Sequence, residues 1–210
     1  MEECKIKNLY NLDETIAKKI FEGATYPWEV LPKINDFIIE LGNDIFISKT
    51  AKIAKMACLN GPLIIDDGAE IRHCAFIRGN AIVGQGAVVG NSTELKNVIL
   101  FNKVQVPHYN YVGDSILGYK AHMGAGSITS NVKSDKKLVV IKNGKEEIET
   151  NRKKVGAMLG DNVEIGCGSV LNPGTVIGKN SNIYPLSSVR GVIPNNSIYK
   201  NKNEIVKKNC

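Results

Sequence analysis

The chain has 210 residues, of which 43% are hydrophobic, and its formal net charge is +6. This length and hydrophobic content are sufficient for one domain with an appendage. No apolar signal-peptide core and no stretch of membrane-spanning length occurs, so we expect a cytoplasmic protein that does not bind membranes. The five cysteines lack Cys-x-x-Cys spacing, which favours reduced thiols and predicts no metal site. The positive charge favours anionic small molecules, since no nucleic-acid recognition motif accompanies it.

Residues 1–45 lack the repeat that occupies the rest of the chain. Residues 13–21 are predicted to form a helix with Asp13 as N-cap, and residues 32–41 a second helix ended by Gly42. Because the following repeat predicts a solenoid, whose end strands need covering, we interpret this segment as a helical N-terminal cap and not as a catalytic domain.

The solenoid is predicted by apolar residues that recur six apart over ten consecutive rungs. The rungs are Ile47, Ile53, Leu59, Ile65, Ile71, Ile77, Val83, Val89, Leu95 and Phe101. Small residues stand two positions before several rungs, at Ala51, Ala69, Ala75, Ala81 and Ala87. Large and small inward side chains thus alternate along each short strand, as in a narrow parallel β-solenoid. The alternative, a β-sandwich with chance spacing, is disfavoured by the length of the ladder.

The ladder is interrupted, and the interruptions mark candidate functional places. The first run ends near Pro107, a shifted run resumes at Tyr111, Leu117, Met123 and Thr129, and a third occupies residues 159–189. The solenoid domain is therefore assigned to residues 46–200, and residues 201–210 form a tail.

A long excursion, residues 130–157, separates the second and third runs. Asn143-Gly144 lies between two apolar segments and predicts a hairpin. The excursion is rich in lysine and arginine, so it is either a solvated surface hairpin or an arm over a neighbouring subunit or an anionic ligand.

His108 is the strongest candidate for chemistry among His73, His108 and His122, because it lies at the first break in the ladder. Histidine is the natural base near neutral pH, although a lone histidine is more often structural or simply exposed.

A specific resemblance begins at this histidine. Pro107-His108-x-x-Tyr111-x-Gly113-Asp114, followed by Gly124-Ala125-Gly126-Ser127-Ile128-Thr129-x-Asn131, resembles the acetyltransferase domain of bacterial bifunctional N-acetylglucosamine-1-phosphate uridyltransferases. It is also similar to the C-terminal domain of archaeal sugar-1-phosphate nucleotidylyltransferases. The resemblance covers about residues 47–200. It implies a left-handed parallel β-helix, a homotrimer with sites between subunits, and acetyl transfer from acetyl-CoA to an amino-sugar 1-phosphate.

The same resemblance assigns roles to individual residues. His108 is the implied base, and the Ala125 amide contacts the thioester oxygen. The implied acceptor ligands are Arg78, Lys96, Tyr111, His122 and Asn131, and the implied acetyl-CoA ligands are Ala125, Cys167, Tyr184, Pro185 and Arg190. His122 stands where the bacterial enzymes have asparagine, which points to an altered sugar preference, including galactosamine 1-phosphate beside glucosamine 1-phosphate. No metal is implied for acetyl transfer.

Other readings remain open at the level of sequence. No Leu-x-x-Gly-x-Gly-Thr-Arg nucleotide loop occurs, so we predict no uridyl transfer by this chain. A zinc enzyme resembling the γ-class carbonic anhydrases would need a close histidine pair, which the three histidines do not form. The remaining alternatives are an acetyltransferase for another amino sugar or a nucleotide-linked sugar, and a non-catalytic trimeric partner of a sugar nucleotidyltransferase.

Overall fold

The computed structural model describes residues 1–42, 44–202 and 204–208. Most of the described chain winds into a solenoid of short parallel strands that lie on three faces. Ile47 pairs with Ile65, and Ile65 pairs with Val83, so each coil in this region takes eighteen residues, six for each face. The predicted all-β solenoid of hexapeptide repeats is thereby confirmed.

The bounds of the strands follow the three faces. The first face comprises β1 (Ile45–Ile47), β4 (Leu63–Ile65), β7 (Ala81–Val83), the ends of β9 (Glu94–Leu100) and β11 (Tyr111–Leu117), β16 (Ala157–Leu159), β19 (Thr175–Ile177) and β22 (Val192–Ile193). The second face comprises β2 (Lys52–Ile53), β5 (Glu70–Ile71), β8 (Val88–Asn91), β10 (Gln105–His108), β12 (His122–Met123), β17 (Glu164–Ile165), β20 (Asn182–Ile183), β23 (Ser197–Asn201) and the antiparallel β24 (Glu204–Lys207). The third face comprises β3 (Cys58–Leu59), β6 (Phe76–Ile77), the starts of β9 and β11, β13 (Ile128–Thr129), β18 (Val170–Leu171) and β21 (Ser188–Val189).

The rungs fill the interior where coils lie on both sides. Ile65, Ile71 and Ile77 are almost fully buried, as are the small residues Ala69 and Ala75 that share the narrow interior with them. Among the described residues no coil precedes the first one, and its rung Ile47 is 38% exposed.

Two predicted rungs are wrong. Val83 pairs with Leu100, and Leu95 pairs with Val112, so Leu100 and Val112 are the inward residues and not Phe101 and Tyr111. Two successive coils are each one residue shorter because they turn from the third face to the first with two residues, Lys96-Asn97 and Gly113-Asp114. Asn97 (φ 56°) and Asp114 (φ 47°) adopt the left-handed conformation at these tight corners, which asparagine and aspartate tolerate better than most residues. The register changes before Pro107, not at it.

The N-terminal segment lies along the side of the solenoid and does not cover its open end. Apolar outward positions of the first face, here called the apolar stripe, are buried under this segment and the rest of the chain: Ile64, Ile82, Ile99, Ile116, Met158 and Val176. Tyr10 and Phe21 pack on Phe101, with ring centroids 5.1 and 5.8 Å away from it. Burial of this apolar stripe stabilises the placement of the segment along the side of the solenoid.

The predicted helix at residues 32–41 is confirmed as α2 (Ile34–Glu40), whereas the predicted helix at residues 13–21 is wrong. That stretch holds two 3-10 turns, and the segment as a whole contains α1 (Ile6–Leu9), α2 and the 3-10 turns Glu2–Cys4, Leu12–Glu14, Lys18–Phe21, Pro27–Glu29 and Leu31–Lys33. No helix in the described parts of the chain has the length and hydropathy needed to cross a membrane.

The excursion contains the predicted hairpin, β14 (Val140–Asn143) and β15 (Glu146–Glu149), with Gly144 at a positive φ of 59° in its loop. The hairpin is not fully solvated, because Val139 and Ile141 are buried against the solenoid beside Gly174.

Candidate active site

His108 lies at the corner where the second face turns into the third, here called the His108 corner. β10 ends at His108, and Tyr109 turns the chain with a positive φ of 51°. Asn110 is buried and fixes the turn: its Oδ1 accepts from the His108 N–H at 3.1 Å, and its Nδ2 donates to the Gly124 carbonyl at 2.9 Å. The imidazole is exposed on this fixed corner, as a base that must reach a substrate requires.

Ala125 lies on the next coil of the same corner. The Gly126 N–H donates to the His108 carbonyl at 3.0 Å, so the two predicted catalytic positions are on adjacent coils. Ala125 is exposed, and within the described ranges its N–H has no hydrogen-bond acceptor. A free backbone N–H beside an exposed imidazole can donate to a carbonyl oxygen that gains negative charge.

Three of the predicted acetyl-CoA ligands continue along this corner towards the C-terminal coil. The Ala125 carbonyl accepts from the Gly168 N–H at 2.8 Å, and the Cys167 carbonyl accepts from the Leu186 N–H at 2.9 Å. Cys167, Tyr184 and Pro185 are exposed on this strip. Arg190 lies outside this strip, at the end of the third face. It lines a cavity of about 530 Å³ that Pro185 also lines.

Four predicted acceptor ligands lie together on the third face and its corner with the first face. The Tyr111 hydroxyl accepts from Asn131 Nδ2 at 3.3 Å, and burial, with the Asp114 charge second, raises the pKa of Tyr111. Arg78 and Lys96 occupy equivalent places on neighbouring coils, but each already has an ionic partner: Arg78 Nη1 is 2.8 Å from Glu94 Oε1, and Lys96 Nζ is 2.9 Å from Asp114 Oδ1.

Asp114 connects these side chains, a role that the sequence reasoning missed. It is 2% exposed, and its carboxylate accepts from Lys96 Nζ, from Asn97 Nδ2 at 2.9 Å and from Asn131 Nδ2 at 2.6 Å. A carboxylate only accepts hydrogen bonds, so this contact fixes the orientation of the Asn131 amide and leaves its Oδ1 to accept from a ligand. The available signal was the shortened corner, which brings Asn97 and Asp114 to equivalent places.

His122 is separated from the other predicted acceptor ligands. It lies on the second face, where its Nδ1 is 2.8 Å from Glu164 Oε2. Outward side chains of two faces of one solenoid point in different directions, so a single chain does not bring His122 to Tyr111 and Asn131. Within the described residues, no group of three or more histidine, cysteine, aspartate or glutamate side chains is placed to hold a metal ion.

Comparison with known proteins agrees with this fold. Residues 59–146 match the family model described as the GMPPB C-terminal domain, and residues 156–191 match the bacterial transferase hexapeptide repeat. The chain is 34% identical over 198 residues to the bifunctional protein GlmU of Methanococcus aeolicus, covering 86% of this chain and 47% of that protein. It is 28% identical over 200 residues to a bifunctional sugar-1-phosphate nucleotidylyltransferase/acetyltransferase of Sulfurisphaera tokodaii, covering 85% of this chain and 49% of that protein.

The chain thus spans about half the length of these two bifunctional relatives. Among solved structures, a hexapeptide transferase family protein from Anaplasma phagocytophilum has a TM-score of 0.44 and 16% identity, with 79% of each chain covered. The chain is built of hexapeptide repeats, has the left-handed β-helix fold, and is similar to the acetyltransferase domain of the GlmU proteins.

Proposed function

We propose that this chain transfers acetyl from acetyl-CoA to the 2-amine of an amino-sugar 1-phosphate, glucosamine 1-phosphate or galactosamine 1-phosphate. The observation that carries the proposal is the exposed His108 imidazole on one coil and, on the next, the Ala125 N–H, which has no acceptor among the described residues. Tyr111 and Asn131 supply polar groups for the acceptor on the adjoining face, and Asp114 orients the Asn131 amide.

The proposed reaction uses these groups in a defined order. The amine nitrogen attacks the thioester carbonyl carbon, and the carbonyl oxygen takes up negative charge beside the Ala125 N–H. His108 accepts the proton that the amine loses. The intermediate then collapses, the C–S bond breaks, and the CoA thiolate leaves and takes up a proton. Cys167, Tyr184, Pro185 and Arg190 are proposed to hold CoA.

We propose a homotrimer in which the second face of one subunit meets the third face of the next. The separation of His122 from Tyr111 and Asn131 in one chain supports this arrangement, because a closed ring of subunits would bring the two faces together. CoA and the acceptor would then bind between subunits.

The test is the release of free thiol from acetyl-CoA with a panel of amino-sugar 1-phosphates and nucleotide-linked amino sugars. Release with glucosamine or galactosamine 1-phosphate, lowered about two orders of magnitude in His108→Ala, is the expected result for removal of a general base. Thiol release with only a nucleotide-linked amino sugar would show that the acceptor is a nucleotide-linked sugar and not a sugar 1-phosphate. No release from a folded protein would favour the non-catalytic partner of a sugar nucleotidyltransferase.

A further inference from the structure

The excursion returns to the solenoid beside the proposed acceptor site with three consecutive basic residues, Arg152, Lys153 and Lys154. Lys154 forms an antiparallel bridge with Val132. The Val155 N–H donates to the Asn131 carbonyl at 3.0 Å. The return of the excursion is therefore fixed directly next to Asn131, and the basic residues do not belong to the hairpin tip.

These residues line one side of a cavity of about 470 Å³, and Lys96, Asn97 and Asp114 line the other. The N-terminal segment closes part of the rim with residues 31–32. The cavity therefore contacts Asp114, the carboxylate that fixes the Asn131 amide.

The charges of the cavity do not balance within the chain. Arg78 and Lys96, the cations that the family resemblance implies for the phosphate, are paired with Glu94 and Asp114. In the ranges 1–42, 44–202 and 204–208, by contrast, Arg152, Lys153 and Lys154 form no ion pair.

Arg152 carries a second imbalance. Its Nε–H is buried, and no acceptor for it exists among the described residues. Its backbone is held in place, since the Arg152 carbonyl accepts from the Val139 N–H at 2.8 Å. A buried donor without an acceptor is costly, and an anion in the cavity would remove that cost.

We propose that Arg152, Lys153 and Lys154 bind the phosphate monoester of the acceptor, a proposal that rests on the proposed function. A doubly charged phosphate matches three unpaired positive charges, and the guanidinium offers the directed N–H donors that phosphate oxygens accept. Asn131, next to the same return of the chain, then contacts the sugar. The excursion is on this account a substrate-binding element, and Arg78 and Lys96 support the site through their carboxylate partners.

The first test measures the binding of glucose 1-phosphate by calorimetry, because this probe has the phosphate and lacks the amine that would react. Arg152→Gln is expected to weaken its binding at least about tenfold, as loss of a charge-assisted hydrogen bond does. Lys153→Gln, at an exposed position, is expected to weaken it severalfold without affecting the fold. The matched control is Lys145→Gln at the hairpin tip, which removes the same charge and should leave binding unchanged.

Arg152→Lys and the melting temperature of each variant separate lost binding from lost folding. Glucose 1-phosphate that fails to bind the wild type, or that binds Arg152→Gln and Lys153→Gln within twofold of the wild type, would overturn the assignment. Neither result requires acetyl transfer, so failure of the proposed function is distinguishable. In the transfer assay, Arg152→Gln should raise the KM for the sugar phosphate and not the KM for acetyl-CoA.

Discussion

At the residue scale, Asp114 is the side chain on which the arrangement of the proposed acceptor site depends most. Asp114→Ala removes the acceptor for Lys96, Asn97 and Asn131 at a buried place. Removing one partner of a buried ion pair leaves an uncompensated charge, so we expect the free energy of unfolding to fall by about 3 kcal/mol. Urea denaturation measures the change.

The control for this prediction is Asp135→Ala, which removes a carboxylate that contacts Lys133 on the exposed surface of the excursion. Exposed ion pairs contribute little, so its effect should stay within about 0.5 kcal/mol. Equal losses in the two variants would contradict the view that Asp114 holds the site together.

Tyr10 gives the protein a specific sensitivity to alkaline pH. It is buried, its hydroxyl donates to the Ile116 carbonyl, and burial, with the Asp161 charge second, raises its pKa well above the usual value. Above a pH of about 10 an exposed tyrosine in the unfolded chain loses its proton while folded Tyr10 keeps its own. The unfolded state then binds fewer protons, so stability falls as pH rises above that value.

Unfolding of the wild type and Tyr10→Phe at pH 9 and pH 11 tests this linkage. The wild type should lose at least about 1 kcal/mol more than Tyr10→Phe over that interval, since one unit of pKa difference corresponds to about 1.4 kcal/mol. Parallel losses in the two proteins would show that other groups cause the alkaline sensitivity.

At the scale of elements, the attachment of the N-terminal segment depends on an aromatic cluster. Phe101 is fully buried between the solenoid and the rings of Tyr10 and Phe21. Phe101→Ala should lower stability by about 3–5 kcal/mol, as for other buried phenylalanines. It should also make Lys18 and Lys19 early sites of tryptic cleavage, because the segment loses its anchor.

Limited proteolysis with mass spectrometry, together with urea denaturation, measures both effects. Tyr109→Ala removes an exposed aromatic ring at a corner away from the cluster and should change stability by about 0.5 kcal/mol or less. If trypsin first cleaved the Phe101→Ala variant in the excursion and not in residues 1–42, the role given to Phe101 would be contradicted.

The elements also show what a single sequence can predict. A six-residue period identifies inward positions because every coil repeats the same geometry, so the solenoid and the neighbouring places of His108 and Ala125 follow from it. Leu100 and Phe101 are adjacent and both apolar, so the sequence pattern does not show which of them faces inward. The strand register, in which Val83 pairs with Leu100, assigns Leu100 to the interior. The apolar stripe can be recognised in the sequence, since Ile64, Ile82 and Ile99 are apolar at outward positions. Such a stripe indicates that another segment of the protein covers this face.

The candidate site is less predictable than the fold for a definite reason. Asp114 and Arg152 are far apart in the chain, and the excursion, whose path no repeat describes, brings them to one cavity. The ionic partners of Arg78 and Lys96 lie on neighbouring coils of the solenoid. The spacing of the repeats does not show that these contacts convert two apparent phosphate ligands into paired side chains.

At the scale of the whole molecule, the proposed trimer depends on the outward surface of the third face. Its outward positions include the half-buried apolar residues Phe76, Ile128 and Val170, whereas the second face presents mainly polar ones such as Gln105 and Glu164. Because the proposed site lies between subunits, the apolar strip beside it is the surface we expect the next subunit to cover.

Ile128→Arg tests this expectation, because burying an unpaired guanidinium in an interface costs several kcal/mol, about 3 or more. The wild type should elute with the mass of a trimer, about 69 kDa, three times the 22.9 kDa chain, and the variant as a monomer with unchanged circular dichroism. Ile39→Arg, an equivalent change at an exposed site on α2, should remain trimeric.

A monomeric Ile128→Arg protein should also lose acetyl transfer but keep a folded His108 corner, since His108 and Ala125 are positioned by hydrogen bonds within one chain. A trimer that persists in Ile128→Arg would move the interface to another face.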